Sequence, residues 1–280
     1  MTLYRRFDAF DRWLHVALMV SFIGLGVTGL PLLFSQSGWA SVLAHALGGF
    51  HIAGLLHRTS ALVLIAVFAA HLARVGKRLV VDRDFGVLWG PSSMTPQPRD
   101  VIDLINHVKW FLGRGPRPRF DRYTYWEKFD YMAVFWGMGI IGGSGLMLWF
   151  PTVFARVLPG WVFNVASLIH GEEALLAVGF IFTIHFFNTH MRPEKFPMDP
   201  VIFTGRVSEE ELREERPDEY ERLRAGGRLE QLAVGPAPAW VLPAARVVAA
   251  VVLAIGFVVV AIIVVTLVTP IVLTLVAPIP

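Results

Sequence analysis

The sequence predicts an all-α integral membrane protein, with four spans in one bundle and a fifth, C-terminal transmembrane helix. Three observations carry that prediction. Of 280 residues, 55% are hydrophobic and only 17% charged, which is a membrane protein's composition. Five stretches, at about residues 12–34, 53–75, 129–151, 165–190 and 244–269, are long and apolar enough to cross about 30 Å of hydrocarbon. Lys and Arg are spread unevenly: eleven lie from Arg74 to Lys128 and nine from Arg192 to Arg246, but only Arg156 lies between the third and fourth spans. The positive-inside rule then places the N-terminus, the second connection and the late polar segment in the cytoplasm. The chain divides into a four-helix membrane domain over 1–192, a cytoplasmic polar segment over 193–243, and a C-terminal helix with its tail over 244–280.

The first apolar run, Leu14 to Phe34, follows Arg5 and Arg6. It is too long for a signal-peptide core, lacks a small-x-small cleavage site and carries His15 near its start, so it is read as a span. The second connection holds Pro91, Pro96, Pro98, Pro116 and Pro118 and is expected to be irregular, apart from one surface helix around Asp100 to Phe111. Trp126, Trp149, Trp161 and Trp240 lie near span ends, where amphipathic rings favour the interface. The charge run from Ser208 to Arg224 carries both signs and is read as a solvated face. The run Val247 to Val265 has no polar side chain and is expected to face lipid, which leaves chemistry to the first four spans.

The chain has no cysteine. Disulfides, thiolate zinc sites, cysteine-ligated iron–sulfur clusters and c-type haem attachment are thereby excluded, and histidine is the strongest metal ligand left. A formal charge of +3, with no basic patch interleaved with aromatics, gives no reason to expect nucleic-acid binding.

Polar side chains at bilayer depth are costly and need a partner or a function. The fourth span alone carries His170, Glu172, Glu173, His185 and His190. On an ideal helix His57 and His71 lie about 40° apart around the axis and about 21 Å apart along it, and His170 and His185 about 60° and 22 Å. The running directions of the spans sort His57 and His170 toward the outer face, and His15, His71, His185 and His190 toward the cytoplasmic face. Two layers of imidazoles suit two stacked haems, each iron taking one ring from each of two helices. A zinc ion would need three or four ligands in one sphere. Any single histidine could instead bridge helices by hydrogen bonding; six in two layers favour haem.

Glycines crowd the first span (Gly24, Gly26, Gly29) and the third (Gly137, Gly139, Gly142, Gly143, Gly145), with Gly179 on the fourth. They serve close helix packing and also leave space for a porphyrin edge. Arg12, Arg58 and Arg74 stand within three residues of a histidine and suit haem propionates, although Arg12 and Arg74 equally suit interfacial anchoring. Glu172 and Glu173 are read as interfacial carboxylates, and His45, His51 and His107 as surface histidines.

The segment Arg6-Phe-Asp-Ala-Phe-Asp-Arg-Trp-Leu-His15, with Gly29-Leu-Pro-Leu-Leu-Phe after it, resembles the first helix of the formate dehydrogenase gamma subunit. That subunit belongs to the bacterial di-haem, b561-like cytochrome b family. The resemblance continues through His57, Tyr125-Trp-Glu-Lys-Phe-Asp-Tyr, Ser144-Gly-Leu-Met-Leu-Trp-Phe-Pro151, Leu168-Ile-His170 and His185, and so covers residues 5 to about 190. It implies that His57 and His170 ligate an outer haem b and that His15 and His185 ligate an inner one. A quinone site is implied beside the inner haem, near Thr124, Glu127, Lys128 and Asp130. The chain departs from the family in three places. The interval from His170 to His185 is one residue long, suggesting a bulge or changed rotation; Thr124 stands where an Asn-like residue is expected; and His71 and His190 are additional. The extra pair suits a third haem, replacement of His15 by His71, or a proton relay at His190.

These expectations describe a multi-pass subunit of a respiratory complex in the bacterial inner membrane. It would carry electrons between menaquinone or ubiquinone near the cytoplasmic face and an iron–sulfur protein or multihaem cytochrome c outside. Glu127 and Asp130 are its candidate proton carriers, membrane lipid surrounds it, and further membrane or cytoplasmic subunits are possible partners. The rival reading is a haem-free membrane anchor of an oxidoreductase complex. A transporter would show an internal repeat or a broken helix pair, and the sequence gives neither.

Overall fold

The computed structural model describes residues 2–196 and 198–276, and it is an all-α membrane protein with one small sheet. Among the described residues five helices are long and apolar enough to cross a membrane. They are α1 (Ala9–Leu33), α3 (Phe50–Val80), α5 (Tyr125–Trp149), α6 (Trp161–Met191) and α9 (Val241–Val276). Between them lie α2 (Gly38–Ala46) and α4 (Pro98–Phe111), and the polar segment adds α7 (Glu209–Glu215) and α8 (Pro217–Ala225). The tail beyond residue 276 is outside the described residues. The chain forms two compact units: Met1–Phe22 with Arg58–Gly143 and Val201–Ala237, and Ile23–His57 with Ser144–Pro200 and Pro238–Pro280.

In the first unit the polar segment folds onto the N-terminus. Strand β1 (Leu3–Arg5) pairs antiparallel with β2 (Arg206–Ser208) on one edge and β3 (Ala233–Val234) on the other, with Tyr4 opposite Val207 and Ala233. Gly205 opens the turn into β2 at φ +72°. A Cβ there would meet the Phe7 carbonyl at 2.6 Å, so only glycine fits. Ser208 then caps α7, its hydroxyl accepting from Glu211 N at 3.1 Å. Tyr4, Val201, Val207, Leu212, Tyr220, Leu223 and Leu229 fill one apolar core beneath.

Charge fixes the rest of this unit. Glu219, 2% exposed, accepts from Arg6 and, at 3.0 Å, from Arg122 Nη1. Each of the two arginines also donates to the other's backbone carbonyl. Arg222 pairs with Asp121 at 2.6 Å, and Arg99 and Arg119 both hold Asp218. Burial pushes the Glu219 carboxyl up, but the two guanidinium groups outweigh it and hold the group below the usual carboxylate range. The charge run is therefore not a solvated face throughout. It alternates exposed residues such as Glu210 and Glu214 with a buried apolar row and one buried carboxylate.

In the second unit small residues let helices approach closely. A Cβ on Gly171 of α6 would stand 2.9 Å from Leu33 of α1, and one on Gly26 3.6 Å from Val178. The last helix corrects the expectation that it only faces lipid. Ala245, Ala249, Val252, Gly256, Val259 and Ile263 form a buried stripe at three- and four-residue spacing, while Val247, Val251, Phe257, Val258 and Val265 are exposed. A Cβ at Gly256 would come within 2.5 Å of Phe182 and 2.9 Å of Phe186 on α6, and Trp39 Nε1 donates to Thr266 at 2.9 Å. An all-apolar sequence hides this stripe, because hydrophobicity alone does not distinguish a lipid contact from a helix contact.

Two spans contain π-helical turns. One covers Met138–Gly142 in α5; two more, Ile181–His185 and Phe187–Met191, lie in α6. The bulge suggested by the long His170–His185 interval is thus present, ending at His185.

Candidate functional site

The second unit brings His57 and His170 together. Their ring centroids are 6.2 Å apart and their planes 82° apart. Each ring rests on a matched hydroxyl–glycine pair. Thr28 Oγ1 is 3.3 Å from His57 Nδ1 and Ser144 Oγ 3.3 Å from His170 Nδ1, and both hydroxyl residues are buried. A Cβ on Gly29 would stand 2.9 Å from His57 Cε1, and one on Gly145 2.9 Å from His170 Cε1. A larger residue at either glycine would push against the imidazole in its present position.

Thr28 favours one tautomer of His57. Its hydroxyl donates back to the Gly24 carbonyl at 2.5 Å, the usual back-bond of a helical threonine. The hydroxyl oxygen can then accept from His57 Nδ1, the arrangement that would leave the Nε2 lone pair for a metal. Two imidazoles at this separation could serve as the two protein ligands of one haem iron, which would supply a one-electron couple there. Among the described residues no three His, Asp or Glu side chains gather around one point.

The other expected ligands are divided between the units. His15 and His71 belong to the first, His185 and His190 to the second, and all four are half-buried. His71 Nε2 is hydrogen-bonded to the Tyr131 hydroxyl at 2.8 Å, with the ring packed edge-on against Phe135. One turn further along α3, Arg74 bonds Asp8, pairs with Asp11 at 3.6 Å and lies over the Phe10 ring. Its hydrogen bond to Asp8 holds that carboxyl low against the opposing effect of burial. His190 Nδ1 is buried without a hydrogen-bond partner, and its ring meets Phe186 edge-on at 5.6 Å. On a straight α-helix His185 and His190 would be about 140° apart. The π turns change this, since i→i+5 bonding stacks residues five apart on one side.

The residues expected at a quinone are engaged structurally. Thr124 is the N-cap of α5, and Glu127 reaches back to its amide at 2.7 Å, a capping box. Glu127 also pairs with Arg216 at 3.0 Å, while the buried Lys128 amine pairs with Asp100 at 2.8 Å. Asp130 is half-buried on the next turn. Arg12 donates to the Phe203 and Thr204 carbonyls at 2.8 and 3.3 Å and so caps the single turn Val201–Thr204; Arg58 is exposed.

No family model matches this sequence, and no curated protein matches it.

Two residues escape sequence reasoning. Tyr131, adjacent to the predicted quinone segment, becomes significant only through its contact with His71. His107 is not the surface residue expected: it bonds Tyr125 at 3.0 Å and stacks at 4.6 Å on Phe111, among Trp110, Phe120 and Trp126. His45 and His51 are exposed, as expected. Chemically, the second unit offers two neighbouring imidazoles, and the first offers an imidazole–phenol pair joined by a hydrogen bond along which a proton can pass.

Proposed function

We propose that this chain is a membrane cytochrome b subunit that carries electrons through two bis-histidine b haems, between a quinone near the N-terminal side of the membrane and a redox protein on the other side. The observation that carries this reading is the His57–His170 pair on its matched Thr28–Gly29 and Ser144–Gly145 seats. The Lys and Arg distribution supports a cytoplasmic N-terminus, and with it an outer location for this pair. His15 and His185 are assigned to the inner haem through the family resemblance alone. Bound at such sites, haem b supplies a one-electron iron couple whose potential the axial rings and their surroundings set.

The chain's own residues have separable tasks in this reading. His57 and His170 would hold the metal, Thr28 would keep the Nδ1 proton in place, and Gly29 and Gly145 leave room for the ring that approaches each from the neighbouring helix. Quinone reduction takes up two protons with two electrons, so proton-bearing groups must stand near the inner site. His71 and Tyr131 share a hydrogen bond along which a proton can move, whereas Glu127 and Lys128 are engaged by Arg216 and Asp100. The engagement of His71 by Tyr131 favours two haems over three.

The test is the pyridine haemochrome spectrum of the full chain purified from haem-replete cells. The reading requires bis-histidine b-type absorption at two haems per chain, falling to one in His57→Ala and in His170→Ala. A folded chain free of haem would overturn it in favour of the membrane-anchor reading.

A further inference from the structure

Helix α4 (Pro98–Phe111) has two faces with opposite fates. Around its axis Val101, Ile105, Val108 and Leu112, the residue that caps its C-terminal end, form one line within about 60° of each other, flanked by Leu104 and Phe111. All six are 44% to 71% exposed. Arg99, Asp103, Asn106 and Trp110 occupy the opposite side. A continuous apolar arc of this size on one short helix is not the scattered exposure usual for a soluble surface.

The helix cannot turn this arc inward, because residues beside and behind the arc are bonded to the rest of its unit. Asp100 holds Lys128 at 2.8 Å, His107 bonds Tyr125 at 3.0 Å, and Arg99 pairs with Asp218. Two of these partners, Tyr125 and Lys128, lie in the first turn of α5, a helix long and apolar enough to cross the membrane. The first turn of a span lies at the level where hydrocarbon meets water. Bonds to that turn hold α4 at the same level. With 14 residues it is too short to cross.

We propose that α4 is an interfacial helix whose apolar arc inserts into the lipid of the same bilayer that the spans cross, at the headgroup–acyl boundary. A strongly two-faced helix of this kind buries its apolar side about 5–10 Å into that boundary. Lys109 stands at the edge of the arc, where its stem can follow the apolar surface while the ammonium reaches the phosphates. This inference is independent of any bound cofactor.

The absence of cysteine makes a direct test possible. Single variants Val101→Cys, Ile105→Cys, Val108→Cys and Leu112→Cys, with Asn106→Cys and Arg114→Cys for comparison, are spin-labelled in the full chain reconstituted into phosphatidylethanolamine–phosphatidylglycerol bilayers. Collisions with oxygen are compared with collisions with a water-soluble nickel chelate. The four arc positions should favour oxygen, and Arg114→Cys should favour nickel, reversing the sign of the logarithmic ratio. Since the arc side chains are exposed, these substitutions remove no buried contact, and an unchanged helical circular dichroism signal verifies folding. Arc labels as open to nickel as Arg114→Cys would overturn the proposal by showing water. Arc labels shielded from both reagents would overturn it by showing a protein partner in place of lipid.

Discussion

The Tyr131 hydroxyl lies 2.8 Å from His71 Nε2, and the proposed two-haem reading assigns this imidazole to proton exchange and not to iron. An imidazole whose Nε2 is engaged by a phenol is placed for proton exchange. His71→Ala is expected to leave the haem count per chain at two in the pyridine haemochrome assay while lowering quinone-linked turnover. Loss of one haem would instead make His71 an iron ligand. Tyr131→Phe should reproduce the turnover defect, and its haem spectrum should match the parent's.

Thr28 should matter through His57 rather than through packing. Thr28→Val keeps the shape but removes the acceptor of the Nδ1 proton. Partners of this kind typically contribute ten- to a hundredfold to metal affinity, so haem retention at this site should fall by about that factor, and Thr28→Ser should restore it. Gly29→Ala and Gly145→Ala place a methyl about 2.9 Å from a ring carbon and should each displace one histidine. Haem titration of the apo-chain, monitored by absorbance, measures all four variants.

The buried carboxylate of Glu219 should make the polar module acid-sensitive. Its folded pKa is lowered, so its contribution is fully present above the ordinary value of about 4.5 and is lost as pH falls through the lowered folded value. Protease resistance of the 201–237 segment should therefore be level from neutral to about pH 5 and should decline below that. Glu219→Ala leaves Arg6 and Arg122 without their shared partner and should cost about 3–5 kcal/mol, seen as a lower denaturant midpoint for this segment.

Gly256 should be intolerant of size although it sits in an apolar span. Gly256→Leu drives a side chain into Phe182 and Phe186, and overpacking of this kind costs about 1–3 kcal/mol. The melting temperature in detergent should fall, whereas Val258→Leu on the exposed side should leave it unchanged. Equal effects from the two substitutions would remove the distinction between the faces.

The spans were legible because twenty consecutive apolar residues have few other stable uses, and the bulge in α6 was legible as one residue too many between two histidines. The surface helix was legible to within two residues of its start, and the structure shows what opens it: Asp100 accepts from the Gln97 amide at 2.6 Å. His107 and the last helix were misjudged for a common reason. Neither composition nor spacing states which side of a helix meets protein.

By itself, then, the sequence determined the all-α membrane class, the five spans, the presence of six histidines within or at the ends of those spans, and the exclusion of thiolate chemistry. These follow from local quantities: length, hydropathy, helical period and the presence or absence of a residue type. Only the tertiary structure decided that His57 meets His170 on seats made by Thr28–Gly29 and Ser144–Gly145, that Tyr131 engages His71, and that Glu219 binds Arg6 and Arg122. Partners such as Arg6 and Glu219 are distant in sequence, and many arginines and carboxylates were available to pair. Burial selects among them, because a charge or imidazole removed from water persists only where the fold supplies its complement.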